Sequence, residues 1–365
     1  MRHPFRNSGS GPGRRMLGAA AVVCALTMTA HADTWSVVNL HPDGATESEA
    51  YAVQGGQQVG RTYMGGVDRA SLWSGTAASW VDLNPGGATS SEAHGVQGGQ
   101  QVGGANMGGV ARASLWTGTA ASWVDLNPGG ATQSVAFGVY RGQQVGYAVV
   151  GIQAHASLWS GTAASWADLN PAGATSTAYG TDGNQQVGGA NMGDGRQRAS
   201  LWSGSAASWV DLNPAQAGYS QANGVSGGQQ VGYAYTNGNF HASLWTGSAA
   251  SWVDLNPAES TWSQANGVHG GRQVGYAHVG GTDRASLWTG AAASWVDLHA
   301  LLPSQFNYSE ATSIWNDGSF TCITGWGHDA TTGRWEALMW VVPEPASGLA
   351  LAAGLTAFAL RRRSR

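Results

Sequence analysis

Two short segments decide the fold, Arg112-Ala113-Ser114-Leu115-Trp116 and Trp123-Val124-Asp125-Leu126-Asn127-Pro128, because they recur along the chain. The first Trp returns at 73, 116, 159, 202, 245 and 288, and every interval is 43 residues. The second returns at Trp80, Trp123, Trp166, Trp209, Trp252 and Trp295 with the same interval. A third element, Gln-Val-Gly or a close variant, ends at Gly60, Gly103, Gly146, Gly188, Gly232 and Gly275. A degenerate seventh copy follows in Ile323-Thr324-Gly325 and Ala337-Leu338-Met339-Trp340. A period of this length means a solenoid, a propeller or an array of small units.

Working outward, residues 81–123 read as four short strands, centred on 93–96, 100–103, 112–116 and 122–126. Gly98-Gly99 suits a two-residue hairpin turn, where positive φ is needed. A loop is expected over 105–111 and another over 118–121, the latter placing Trp116 directly across from Trp123 as a cross-strand pair. Four strands per 43 residues, seven times, predict an all-β fold, a seven-bladed β-propeller. An open β-solenoid is the alternative, but it needs capping units and none is visible. Val37-Val38-Asn39-Leu40-His41-Pro42 matches the fourth strand and precedes the first blade, whereas no fourth strand follows the last copy. The N-terminal segment therefore predicts the outer strand of blade seven, closing the ring with Val37 near Trp340.

Composition agrees with this reading. Gly numbers 56 and Trp 18 in 365 residues, and charged residues are only 10%. So much Gly opposes a helical protein, and so many Trp oppose disorder. Eight of the 17 basic residues, all Arg, sit at the two ends, leaving the body at −12 with all 21 acidic residues. An acidic body argues against nucleic acid as a partner.

The ends read as sorting signals. Arg14-Arg15, an apolar run over 16–30 and the small residues Ala30 and Ala32 form a secretory signal over 1–32, with signal peptidase cutting before Asp33. A buried core helix is the competing reading. Cys322 is then the only thiol, so no internal disulfide is available. The propeller is expected over 33–342 and a tail over 343–365. That tail holds Pro343-Glu344-Pro345, fifteen apolar residues over 346–360, and the basic stop Arg361-Arg362-Arg363. A simple membrane anchor is the alternative, although the segment is short for a permanent span.

Two resemblances follow from these residues. The repeats resemble HAF-type extracellular repeats, best at His155-Ala156-Ser157-Leu158-Trp159 and His241-Ala242-Ser243-Leu244-Trp245. The chain departs from that pattern in having Ser for Phe, and Arg for His at Arg69, Arg112, Arg198 and Arg284. The tail is similar to the PEP-CTERM sorting signal, also labelled ice-binding protein C-terminal. No Thr-x-Thr ladder appears, so ice binding does not follow from that label. The resemblance implies an exosortase-type processing enzyme as partner and a transient membrane contact through a transmembrane helix in the precursor. It further implies export to the cell envelope, outer surface or extracellular matrix of a Gram-negative bacterium.

Chemistry is harder to find. No C-x-x-C, H-E-x-x-H, G-x-S-x-G or Walker loop occurs, so no catalytic residue, metal site or cofactor is assigned. The recurring Asp82, Asp125, Asp168, Asp211, Asp254 and Asp297 fit turn-forming hydrogen bonds better than a ring of ligands. Between copies, the loop joining strands three and four barely varies, whereas the 2–3 and 4–1 loops vary freely. Those two loops share one face of an up-and-down blade, and loops on a rigid scaffold carry binding. The candidate binding residues are Tyr63, Asn106, Asn191, Tyr235, Asn237 and Trp262. The expected function is an exported, non-catalytic propeller binding glycan or protein through that face. A propeller-fold glycan lyase or hydrolase and a purely structural surface protein are the alternatives.

Overall fold

Each repeat carries its own reasons for bending into a four-stranded blade, and a computed structural model shows the result for residues 35–344. In the second blade the strands are Ala88–Gln97, Gln100–Met107, Val110–Trp116 and Val124–Asp125, running from the axis outward. Seven such four-stranded sheets make a seven-bladed β-propeller with no α-helix among the described residues. The seventh sheet is Ser36–Asn39 beside Arg334–Pro343, then Phe320–Asp329 and Phe306–Asn316. Its register pairs Val37 with Trp340 and Val38 with Met339, as the N-terminal clasp requires.

Two expectations are corrected. The segment 105–111 is not a loop: the strands run on to a two-residue turn at Gly108-Gly109, both at positive φ. Nor is Trp123 a strand residue: the ladder pairs only Ser114 with Asp125 and Leu115 with Val124, and Trp116 and Trp123 follow at the opposed positions just past its end. A 3-10 turn at Ala120–Ser122 precedes Trp123, and the outer strand is only two residues long. Ser122 dictates this turn, accepting from Thr117 N (2.8 Å) and donating to Thr119 O (2.6 Å). Trp123 therefore tilts back and donates its indole N–H to Ser114 Oγ at 2.8 Å. Trp116 is fully buried between blades, packed on Leu72 and Leu83 of the first and Ala93 of the second.

The remaining motif residues join neighbouring parts. Gly103 is obligatory, because a Cβ there would lie 1.9 Å from Glu92 O. Gln101 accepts from Gly118 N (2.7 Å) and donates to Gly99 O (3.0 Å), tying the 1–2 turn to the 3–4 loop on one face. Asp125 accepts from Asn127 N at 2.8 Å, the turn bond expected of the recurring Asp. Its other oxygen takes Arg112 Nη1 at 2.7 Å, and in the third and fifth blades a His Nδ1 fills that place. Asn127 accepts from Ser134 Oγ (2.7 Å), which accepts from Ala113 N (2.9 Å) of the preceding blade. The same Ser latch recurs at every junction, the ring-closing one being Ala337 N to Ser48 Oγ at 2.9 Å.

The propeller also runs slightly past residue 342. Pro343 pairs with Phe320, and Glu344 is held by Arg272 Nη1 at 2.5 Å and Nη2 at 3.2 Å. Ala30, Ala32, Pro345, Arg361, Arg362 and Arg363 lie outside the described residues. Among the described residues no helix is long and apolar enough to cross a membrane.

Candidate functional site

Every innermost strand breaks register at one shared place, after Ala50, Ala93, Ala136, Ala178, Ala222, Ala265 and Ala311, and those of blades two, three and seven break a second time near their start. The extra residue of a bulge is unpaired and re-aimed. Here it is Tyr51, His94, Phe137, Tyr179, Asn223, Asn266 and Thr312, and these seven form a belt around the axis. The belt has two chemistries. Over blades one to four the rings touch in series, with centroids 5.4 Å (Tyr51–His94), 5.1 Å (His94–Phe137) and 5.3 Å (Phe137–Tyr179) apart. Over blades five to seven, Asn223 Nδ2 donates to Ala265 O (2.9 Å) and Asn266 Nδ2 to Ala311 O (3.0 Å). Thr312 Oγ1 completes this arc by donating to Ala50 O at 2.8 Å.

Above the belt lies a cup of about 530 Å³, lined by all seven innermost strands and bounded by the 1–2 turns. The volume falls in the range of small-molecule sites. His94 stays neutral on its floor, because burial pulls its pKa down to about 4. The rim includes Tyr140, Arg141, Asp182, Ser226 and Trp315. Arg141 has a φ of 49° and its guanidinium lies 5.4 Å from the Tyr140 ring centroid.

On the other side of the belt the chemistry is acidic. Arg61 donates to Glu49 and Asp68, both at 2.6 Å, and its Nε to the Tyr51 hydroxyl at 3.0 Å. Tyr51 in turn donates to Glu49 at 2.7 Å. Glu310, which accepts from Tyr308, has its pKa pushed up to about 7, chiefly by burial and further by Asp283 and Glu49. Burial also raises the Tyr147, Tyr233 and Tyr276 hydroxyls. No group of three or more His, Cys, Asp or Glu could hold a metal ion among the described residues.

The six residues singled out in the sequence do lie toward the face of the 2–3 turns. Thr46 N bonds Tyr63 O at 2.9 Å and Thr261 N bonds His278 O at 3.1 Å, joining the 4–1 loops to the strand ends there. The structure brings three of the six together. Tyr235 and Trp262 line a cleft of about 400 Å³ with Phe240 and Tyr276, and Asn237 occupies the turn beside it at a φ of 52°. Tyr235 is backed by Tyr219 at 4.6 Å and Trp262 by His278 at 3.6 Å, so each presents one ring face to the cleft. The other three stand apart. Asn191 spends its side-chain oxygen on Gly193 N (2.9 Å) and Gly195 N (3.2 Å), holding its own turn. Tyr63 is exposed on the first blade, and Asn106 buries its side-chain oxygen on the second.

The belt and cup escaped the sequence reading. A signal existed: within strands that otherwise repeat, the position of Tyr51, His94, Phe137, Tyr179, Asn223, Asn266 and Thr312 takes five residue types in seven copies. They sit between residues that scarcely change, such as Ala93 and Gly95.

No protein-family model matches the chain, and a search of curated proteins finds no match. Solved structures do resemble it. The β-propeller domain of the Trilobed protease from Pyrococcus furiosus superposes with a TM-score of 0.53 at 8% identity, covering 81% of this chain and 94% of that one. A Pyrococcus horikoshii acylaminoacyl peptidase gives 0.52 at 8% identity, covering 85% of this chain and 55% of that one. An oligogalacturonate lyase from Vibrio parahaemolyticus gives 0.48 at 9% identity, covering 86% and 98%. This chain spans about half the peptidase and 65% of a TolB from Acinetobacter baumannii. At such identities the likeness shows the fold alone, and that fold is the β-propeller.

Proposed function

We propose that this chain is an exported, non-catalytic propeller, sorted to the cell envelope or exopolysaccharide matrix, that binds glycan through the face of the 2–3 turns. The observation that carries the reading is the cleft of Tyr235, Phe240, Trp262 and Tyr276. Aromatic ring faces carry partial negative charge and receive the C–H face of a sugar ring, while Asn237 and Asn239 stand beside them as polar partners. Export and sorting rest on the terminal signals and their resemblance to a secretory leader and a PEP-CTERM tail. A glycan array probed with residues 33–344 tests the binding. Trp262→Ala and Tyr235→Ala are expected to cut retained signal at least tenfold with unchanged melting temperature, and an unchanged array pattern would refute the site. Intact-mass spectrometry of protein from its native host tests the sorting. A mature N-terminus at Asp33 and loss of the tail are expected, whereas a C-terminus at Arg365 would refute it.

One observation favours a second reading, a propeller-fold glycan hydrolase or lyase. Burial pushes the Glu310 carboxyl up to about 7, and on the innermost strand of the neighbouring blade Glu49 is ion-paired to Arg61 at 2.6 Å. Two carboxyl groups in unlike environments, one buried and one ion-paired, are the working parts of glycoside hydrolysis. Polysaccharide cleavage abolished by Glu310→Gln would establish this reading over the first.

A further inference from the structure

We infer that the axial cup is a second binding site, on the face opposite the cleft, and that it takes the neutral end of a saccharide chain. Three observations meet there. The first is shape and chemistry. Tyr51, His94 and Phe137 offer aromatic surface on one side of the floor, and Asn223, Asn266 and Thr312 offer polar groups on the other. A pyranose ring has the complementary pair of features, an apolar C–H face and a rim of hydroxyls. Each Asn amide nitrogen carries two N–H groups. One is given to the next blade's carbonyl, at 2.9 and 3.0 Å, and the other remains to serve a ligand hydroxyl.

The second observation is charge. His94 is neutral on the floor, and Arg141 and Asp182 stand on adjacent blades at the rim. The cup thus carries no net charge that would select a uronate or a sulfated sugar.

The third is strain. The two-residue turns of blades one, two, five and six place Gly at the first position, Gly55, Gly98, Gly227 and Gly270, with φ between 57° and 60°, whereas blades four and seven use longer turns led by Asp182 and Asp317. Among the two-residue 1–2 turns described, Arg141 of blade three is the one non-glycine at that position, at 49°. Left-handed backbone is unfavourable for a non-glycine residue, and such outliers cluster at ligand clamps. This one lies on the cup's rim beside Tyr140. With the cleft on the opposite face, one molecule could bridge two polysaccharide chains.

The test uses arrayed neutral and uronate-containing oligosaccharides, residues 33–344, and three variants. Ser226→Trp fills the cup, Tyr140→Ala trims its rim, and Trp262→Ala alters only the cleft. Binding of neutral ends is expected to fall at least tenfold in Ser226→Trp, to fall measurably in Tyr140→Ala, and to persist in Trp262→Ala. Melting temperatures report folding, and Tyr140→Ala covers a Ser226→Trp protein that fails to fold. If Trp262→Ala removes all saccharide binding and the cup variants change nothing, the cup proposal falls and the cleft reading stands. If only the cup variants matter, the cleft reading falls. Cup-dependent signal confined to uronate chains, or no saccharide binding at all, also overturns the cup proposal.

Discussion

The two tryptophans of each repeat sit seven residues apart and are held by different forces. Trp123 is half-buried and hydrogen-bonded through Ser114, whereas Trp116 is fully buried and its indole N–H has no acceptor. Trp123→Phe is therefore expected to cost about 1 kcal/mol, with a double-mutant cycle against Ser114→Ala returning most of it as coupling. Trp116→Ala leaves a large void and should cost about 3–5 kcal/mol, read by urea unfolding. The recurrent Ser before Leu-Trp is thus explained by its hydroxyl, and the alternation of Arg and His two residues before it by a shared Asp partner. Both features were visible in the sequence, but their roles were not. The acceptor lies nine residues from its donor, and only the 3-10 turn brings them together. Glu310 gives a pH prediction. Its folded pKa of about 7 lies above the ordinary 4.5, so the folded state holds a proton that the unfolded state releases. Stability from this group falls as pH rises from about 4.5 to 7 and is flat above. Glu310→Gln should flatten that decline and raise the melting temperature at pH 8. His94 acts oppositely, losing stability as pH falls from 6.5 toward about 4, so His94→Gln should resist acid better.

At the scale of elements, the blade count and strand order were legible because the period and the Gly-Gly turns are local signals. The bulges were not. Ala93-His94-Gly95-Val96 fits a regular strand equally well, and the slip appears only against its partner, where Ala93 faces Gly103 and Gly95 faces Val102. That slip decides which side chain enters the axis, so the belt was hidden with it. The outer strand was read too long because the 3-10 turn uses the same Ala, Ser and Trp that a strand tolerates. Blade-to-blade contact makes a prediction of its own. Ser134 Oγ serves Ala113 N of one blade and Asn127 of its following loop. Ser134→Ala strands both groups in the interior and should cost about 2–3 kcal/mol by equilibrium unfolding. An unchanged midpoint would show that the latch is not a source of cohesion between blades.

For the whole molecule, the clasp was the most legible feature, since a spare fourth strand at one end and a missing one at the other can be counted. Its contribution is measurable. Deleting residues 33–41 removes four backbone pairs, the fully buried Leu40 and the 2.6 Å bond from Asn39 to Glu336. The half-buried Val37 and Val38 add less than full burial would. The loss should total about 5 kcal/mol and lower the melting temperature by roughly 10 °C. Edge-to-edge association seen by light scattering should accompany it. The clasp also has a meaning in time. Ser36 meets Val341 across a separation of 305 residues. Joining such distant segments costs loop-closure entropy that no local contact offsets, so it is a late event in folding. A chain that stops anywhere before the seventh blade leaves residues 36–39 with nothing to pair against, and the clasp thereby reports to the rest of the molecule that the strand at 334–343 has been made.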